Sequence, residues 1–297
     1  MDRLKNTLLS VLLLLCAGAL LLHPAEAGEA ARQGLRLCFT AVLPALFPFF
    51  VLSTLWVETG LAEGFGLLLA RVMGPLFRLS GAGAGALALG LVGGYPVGAR
   101  TAAELYRGGR ISREEAERLL GFCNNAGPGF LLGVCGGGVF QSPRAGLYLY
   151  MIHAAAAVLT GMLLRRREAP ESAPARKPPA KRKSLLTLFP AAVRDSFAAA
   201  WSVCGYVVLF AVVLLPVPTP LRGLVELTNG VMALTPDRSG FVRCAALLGW
   251  GGLSVHAQTM SVLEDSGLTA HWYIPGKLLH CILSIPLAII VSLCLFR

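Results

Sequence analysis

The chain has 297 residues, of which 55% are hydrophobic and 14% are charged, with a net charge of +10 and a mean hydropathy of +0.67. Soluble domains carry about 25% charged residues, so this composition excludes an ordinary soluble enzyme, a disordered chain and a collagen-like fibre. The apolar residues form long continuous runs without the alternation of ten-residue strands, which excludes a membrane β-barrel. The sequence therefore predicts an all-α polytopic membrane protein.

The first apolar run, Leu8–Leu22, follows Arg3 and Lys5 and predicts an N-terminal transmembrane helix within residues 1–33. Ala25-Glu26-Ala27 resembles a signal-peptidase site, so a cleaved signal peptide stays open as an alternative. We prefer a retained helix with the N-terminus inside. The rest of the chain needs the membrane in any case, and a first helix can serve as its topogenic signal.

Residues 34–164 form the first of two predicted repeats, in which apolar runs are interrupted by glycine and proline. We expect a span at Leu35–Val57, then an interfacial or re-entrant helix at Gly64–Leu79 and a glycine-rich run at Gly81–Thr101. A capping box at Ser112–Glu115 predicts the start of a polar helix that reaches about Phe122. A broken run at Asn124–Phe140 and a clean span at Gly146–Leu164 complete this repeat.

A basic loop at 165–184 separates the repeats. Its stretch Arg165–Lys183 has eight basic and two acidic residues and so supplies +6 of the net +10. It contains no aromatic residue to stack on a base, so we expect no nucleic-acid partner. A cytoplasmic loop that obeys the positive-inside rule, and that attracts anionic lipid headgroups, explains the charge.

Residues 185–297 form the second predicted repeat. We expect an amphipathic segment at Leu185–Phe197, a span at Ala198–Leu215, an amphipathic segment at Leu221–Leu234, a broken run at Gly240–Thr259 and a last span at Lys277–Phe296. The eight cysteines form no CxxC pair and lie almost entirely in apolar runs. We therefore expect buried thiols, with neither a metal site nor a disulfide framework, and no cofactor.

The two halves align when the sequence is shifted by 158 positions. Leu89–Cys123 and Leu247–Cys281 then share ten identical residues over 35 ungapped positions, including Gly93-Gly94 with Gly251-Gly252. Counting crossings from a cytoplasmic N-terminus, with Asn124–Phe140 re-entrant, gives the two repeats opposite orientations. Inverted repeats with helices broken at matching positions are typical of secondary transporters, whereas close packing through small residues is the simpler explanation of the glycines.

The stretches GLVGGYPVGA and GFCNNAGPGFLLG, with LPALFPFF at Leu43–Phe50, resemble the YlbJ/SpoVV family of sporulation integral membrane proteins, within the nucleoside-recognition or Gate superfamily. The resemblance runs from about Gly34 to the C-terminus. It implies a fold similar to the core of concentrative nucleoside transporters. It also implies a role in endospore formation, in moving dipicolinic acid across the outer forespore membrane.

A site for a flat aromatic dicarboxylate needs hydrogen-bond donors, positive charge and an apolar slot. The breaks supply candidates, and Arg100 is a carboxylate partner or an interfacial anchor. His256 is a substrate or proton ligand or a packed polar residue, and the two asparagines line the site or cap helices. The candidate substrate-binding residues are Gly93, Gly94, Tyr95, Pro96, Arg100, Thr101, Asn124, Asn125, Pro128, Ser254, His256, Gln258 and Thr259.

Other polar residues have simpler explanations. We expect His153 to pack in the core, and Lys277 to extend its amine toward the interface at the start of the last span. Trp56, Trp272 and Tyr273 suit the interfacial belt, and Glu104, Glu114, Glu115 and Glu117 suit a solvated helix face. The sequence contains no HExxH, GxSxG or P-loop motif, so we expect no enzyme.

The leading hypothesis is a transporter or permease subunit for a small anionic solute, with dipicolinate suspected. Two alternatives are a non-transporting membrane protein of spore-envelope assembly and a nucleoside carrier. The expected partners are the solute and the lipid bilayer. A homo-oligomer, or an assembly with other sporulation membrane proteins, stays open.

Overall fold

The computed structural model describes residues 20–59, 68–165, 185–215 and 217–296, together with single positions 7, 10, 14, 17 and 18. All regular structure in these ranges is helical, as predicted. Most of the proposed first helix Leu8–Leu22 and nearly all of the basic loop lie outside the described residues. The predictions made for them are not addressed by this structure.

Within the described part of the first half we name eight helices. They are α1 (Pro24–Leu37), α2 (Leu43–Glu58), α3 (Leu68–Phe77), α4 (Ala84–Gly93), α5 (Val97–Arg107), α6 (Arg113–Cys123), the π-helical α7 (Gly129–Val139) and α8 (Pro143–Leu163). A π-helical turn at Cys38–Val42 joins α1 to α2, so that Pro24–Leu52 forms one span-length apolar helix. The helix passes through residue 34 without interruption, and Ala25-Glu26-Ala27 lies in its first turn.

In the second half, the residues that the structure describes include six helices that we name. They are α9 (Leu185–Val213), α10 (Thr219–Val225), α11 (Leu227–Met232), α12 (Arg238–Trp250), α13 (Gly252–Leu263) and α14 (Tyr273–Leu295). The expected division between Leu185–Phe197 and Ala198–Leu215 is wrong, because α9 is continuous. Pro190 falls early in the helix, and no breaker stands near residue 197 to end it.

Among the described residues, four helices are long and apolar enough to cross a membrane: Pro24–Leu52, Pro143–Leu163, Thr187–Val213 and Tyr273–Leu295. A fifth candidate is the pair Leu68–Phe77 and Gly81–Gly93, which bends by 118° at the short break between them. That bend fits the predicted re-entrant or interfacial character of the first member. The all-α polytopic membrane class is thereby confirmed.

The predicted capped helix is present as α6, but the prediction that its glutamates form a solvated face is wrong for two of them. Ser112 and Glu115 form a capping box at the start of α6, as predicted. Glu115 is nevertheless buried, and its carboxylate also accepts the Ser80 amide at 2.6 Å. Glu117 is buried as well and accepts from the amide of Thr269 at 2.9 Å. Two of the four glutamates therefore tie α6 to neighbouring segments, while Glu104 and Glu114 are exposed.

In each half a glycine lets one helix approach the backbone of another, and the two glycines lie one position apart in the alignment. A Cβ at Gly90 of α4 would collide with the carbonyl oxygen of Cys123 on α6. In the second half, a Cβ at Gly249 of α12 would lie 2.7 Å from the Cα of Cys281 on α14. Cys123 and Cys281 are partners in the sequence repeat. The two halves thus use the same kind of close backbone contact at corresponding places.

Candidate functional site

Two helix breaks of the first half meet at their glycines. α4 ends at Gly93, and the next residue, Gly94, has a φ of 79°, a conformation that glycine adopts readily. A Cβ at Gly94 would lie 2.9 Å from the amide nitrogen of Gly127, in the break between α6 and α7. Only residues without side chains allow this approach, so the motifs GGYP and NNAGPG are joined in space.

The break of the second half lies close to the same point. α12 and α13 are separated at Gly251 and Gly252, which have φ values of 91° and 80°. The hydroxyl of Tyr95 donates to the carbonyl of Leu248 in the last turn of α12 at 3.0 Å. Tyr95 therefore connects the break of the first half to that of the second.

A cavity opens where these breaks converge, with about 570 Å³ of empty space counting its open mouth. Its apolar walls come from α2, α7 and α9 through Leu46, Phe49, Phe50, Phe130 and Val203. Its polar lining comes from the breaks of the first half, from the junction of α10 and α11, and from α13. These residues are Gly93, Gly94, Tyr95, Gly127, Gly129, Glu226, Thr228, Ser254 and Gln258. The mixture of aromatic walls and a few polar groups is typical of a small-molecule site.

A fully buried lysine lies behind Tyr95. Lys277 donates from Nζ to the Asn124 carbonyl at 3.2 Å and to the Tyr95 hydroxyl at 3.4 Å, and Nζ stands 5.2 Å from the centre of the Tyr95 ring. No carboxylate among the described residues pairs with it. The expectation that Lys277 reaches the interface is wrong, because α14 packs its first turns against α6 and turns this side chain inward.

Asn124 begins a chain of buried polar side chains that links the halves. Its Nδ2 donates to Thr259 Oγ1 at 2.8 Å, and Thr259 contacts the Tyr273 hydroxyl at 3.1 Å. The same hydroxyl contacts His256 Nδ1 at 3.0 Å. Tyr273 is fully buried, so its assignment to an interfacial belt is wrong. Trp272 precedes α14 with intermediate exposure, and the Trp56 side chain lies outside the described residues.

The structure brings some of the predicted site residues together and separates others. Gly93, Gly94, Tyr95, Ser254 and Gln258 line the cavity, and Asn124, His256 and Thr259 form the adjoining polar chain. The remaining candidates do not line it: Pro96 and Pro128 precede α5 and α7, Thr101 donates to Val97, Asn125 donates to Phe122, and Arg100 is exposed.

Sequence reasoning missed Lys277, Glu226 and the aromatic walls. Glu226 is buried, and its carboxylate accepts the amides of Thr228 at 3.1 Å and Asn229 at 2.6 Å at the start of α11. The sequence contains a feature that could have identified Lys277 and Glu226. An ionisable residue inside an apolar run is energetically costly, so its presence there indicates a functional position. Ser254 could also have been ranked higher, because its buried Oγ faces the cavity without a partner.

The comparisons with known proteins agree with this architecture. Residues 39–164 match the Gate family, described as nucleoside recognition. The chain is also 27% identical over 330 residues to the sporulation integral membrane protein YlbJ of Bacillus subtilis strain 168, with 94% of this chain and 81% of the relative covered. No solved structure matches the chain. The resemblance found in the sequence is confirmed, and the protein is an integral membrane protein related to a sporulation membrane protein.

Proposed function

We propose that this protein carries a small anionic solute, with dipicolinate as the expected substrate, across the outer forespore membrane during sporulation. The observation that supports the proposal most strongly is the position of Lys277. A buried ammonium without a carboxylate partner is costly, and an anion in the adjoining cavity would stabilise it. The polar C-terminal end of α6 at Asn124 offsets only part of that charge.

The cavity has features that suit a flat aromatic dicarboxylate. Phe49, Phe50 and Phe130 offer faces and edges for a pyridine ring, and the unpartnered Ser254 hydroxyl can donate to a carboxylate. Glu226 would repel an anion if its charge were free. Both of its oxygens accept backbone amides at the start of α11, which reduces that repulsion.

We further propose that the two halves are inverted repeats, with the N-terminus and the Arg165–Lys183 loop in the cytoplasm. The aligned breaks at Gly94 and Gly251 support this proposal, because paired interrupted helices beside a buried site are typical of secondary transporters. Accessibility of a tag placed in the loop tests it. Labelling from the outside would contradict both the topology and the inversion.

Uptake into proteoliposomes tests the transport proposal. Purified protein should accumulate labelled dipicolinate, and Lys277→Gln should reduce the initial rate at least tenfold. Arg107→Gln, which removes an exposed charge from α5, serves as the matched control and should retain the rate of the parent. Protein-free liposomes define the background.

A nucleoside carrier is the second candidate, favoured by Glu226 and Gln258 in the cavity, which can bind ribose hydroxyls or base edges. Uridine uptake, and competition by uridine against dipicolinate, separate the two. Uptake of uridine alone would replace the anion proposal with this one. Uptake of neither solute by folded protein would favour a non-transporting role in spore-envelope assembly.

A further inference from the structure

Two histidines from different halves of the chain stack in the protein interior. His153 of α8 and His280 of α14 are both buried, with ring centroids 4.3 Å apart and an angle of 33° between the rings. Neither ring lines the cavity. The pair lies beside the break between α6 and α7, because His153 also contacts Ala126 there.

Backbone partners fix the proton positions in this pair. The amide of Ala126 donates to His153 Nε2 at 3.0 Å, so the neutral ring carries its proton on Nδ1. His280 Nε2 lies 3.0 Å from the carbonyl of His153, which can only accept, so this ring carries its proton on Nε2. Two opposite groups remain: an N–H at Nδ1 of His153 and a lone pair at Nδ1 of His280.

Both Nδ1 atoms are buried, and neither has a hydrogen-bond partner among the residues that the structure describes. A ring nitrogen with a lone pair that accepts no hydrogen bond is the basic atom of a neutral histidine, and in this pair that atom is Nδ1 of His280. We propose that the His153–His280 pair is a proton-binding site, with Nδ1 of His280 as the atom that takes up the proton. This step adds one proton from water to a lone pair and breaks no other bond.

The charged groups around the two histidines determine under which conditions a protonated His280 is stable. Lys277 lies one turn before His280 in α14, and the thiols close to that lysine are Cys281 on α14 and Cys123 at the end of α6. α12 faces this part of α14 through Gly249, which carries no side chain. Within the described part of the chain, the pair is therefore flanked by one cation and no carboxylate. A second positive charge is stabilised when an anion is close.

This arrangement links the proton to the solute, a consequence that rests on the proposed function. An anion in the cavity favours protonation of His280, and by reciprocity protonation strengthens anion binding. The proton would then travel with the anion and offset its charge. Dipicolinate uptake should accelerate when the pH on the donor side is lowered, and His280→Gln should abolish that acceleration.

NMR of protein with ¹⁵N-labelled histidine in nanodiscs tests the proton site without transport. Between pH 8 and pH 4, one buried histidine should gain a second N–H, and this signal should be missing in His280→Gln. Saturating dipicolinate should move the transition toward higher pH by about one unit. His271→Gln, which removes an exposed histidine, should leave the signal in place.

The possible results separate the two proposals. His280 that stays neutral to pH 4, with and without dipicolinate, would overturn the proton site even if uptake occurs. A protonation signal that persists in His280→Gln would do the same. Should His280→Gln fail to fold, removing the other histidines one at a time assigns the signal by elimination. Protonation at His280 without any uptake would leave the proton site standing and reject the anion carrier.

Discussion

The two halves begin alike and then diverge. In each half an apolar helix ends at a glycine with positive φ, a short helix follows, and a glycine brings a neighbouring helix into backbone contact. The two halves differ after the aligned cysteines, because α6 ends at Cys123 whereas α14 continues past Cys281 to Leu295. The first half therefore presents a broken end where the second presents a continuous helix.

That difference creates the charged part of the site. The broken end leaves the carbonyl of Asn124 without a helical partner, and the continuous helix supplies Lys277 to bind it. The residue aligned with Lys277 in the first half is Leu119, which is buried in the core. The candidate site thus depends on one helix end and one side chain in which the two halves differ. The predictions below test this comparison, beginning with the largest effect.

The close contact between α4 and α6 should be the most sensitive point. Gly90→Ala places a methyl group on the Cys123 carbonyl, and we expect a loss of about 3 kcal/mol in stability or failure to fold. Gly85→Ala on the same helix meets nothing within 4 Å and should be neutral. Thermal unfolding in detergent measures both. Equal melting temperatures would show that this contact does not hold the first half together.

Lys277→Met separates function from folding. Replacing an unpaired buried charge by an apolar side chain of similar length should leave stability unchanged or raise it by about 1–4 kcal/mol. Dipicolinate uptake should nevertheless fall to background. Melting temperature and uptake are measured on the same preparation. A large loss of stability would mean that Lys277 is a structural residue and not a substrate partner.

The hydrogen-bonded side chains that link the two halves should contribute less to stability than the contact between α4 and α6. Tyr273→Phe removes the hydroxyl that contacts both His256 and Thr259 and leaves buried polar atoms unpaired, at a cost of about 1–3 kcal/mol. Tyr148→Phe, on an exposed part of α8, is the control and should cost nearly nothing. The melting temperatures of the two variants under identical conditions show whether these polar side chains stabilise the contact between the halves.

The smallest effect is expected at the polar end of α6. Burial raises the pKa of Glu117, but the amide and hydroxyl of Thr269 and the guanidinium of Arg113 outweigh this and lower the pKa below 4.5. The stabilisation is therefore present above pH 4.5 and is lost as the pH falls through the lowered value. Glu117→Gln should cost about 1 kcal/mol at pH 7, and the difference from the parent should shrink toward pH 3.

Much of the fold was predictable because its signals are local. The capping box of Ser112 and Glu115, the clean span before residue 164 and the presence of three helix breaks follow from hydropathy, glycine and proline. The breaks are shorter than predicted, because helices already begin at Val97 and Gly252. The continuity of α9 was missed because a change from amphipathic to apolar pattern resembles a boundary although no breaker stands there. The burial of Lys277, Tyr273 and Glu115 was not predicted, because it depends on packing against helices that are distant in the sequence.

The sequence by itself determined the membrane class, the family resemblance, the repeat and the places where helices break. Each of these rests on composition or on the intrinsic conformational preferences of short segments. Only the tertiary structure decided which breaks meet, that Arg100 stays exposed while Lys277 is buried, and that His153 and His280 stack. These outcomes depend on which helix faces which, and that is set by the packing of segments far apart in the chain.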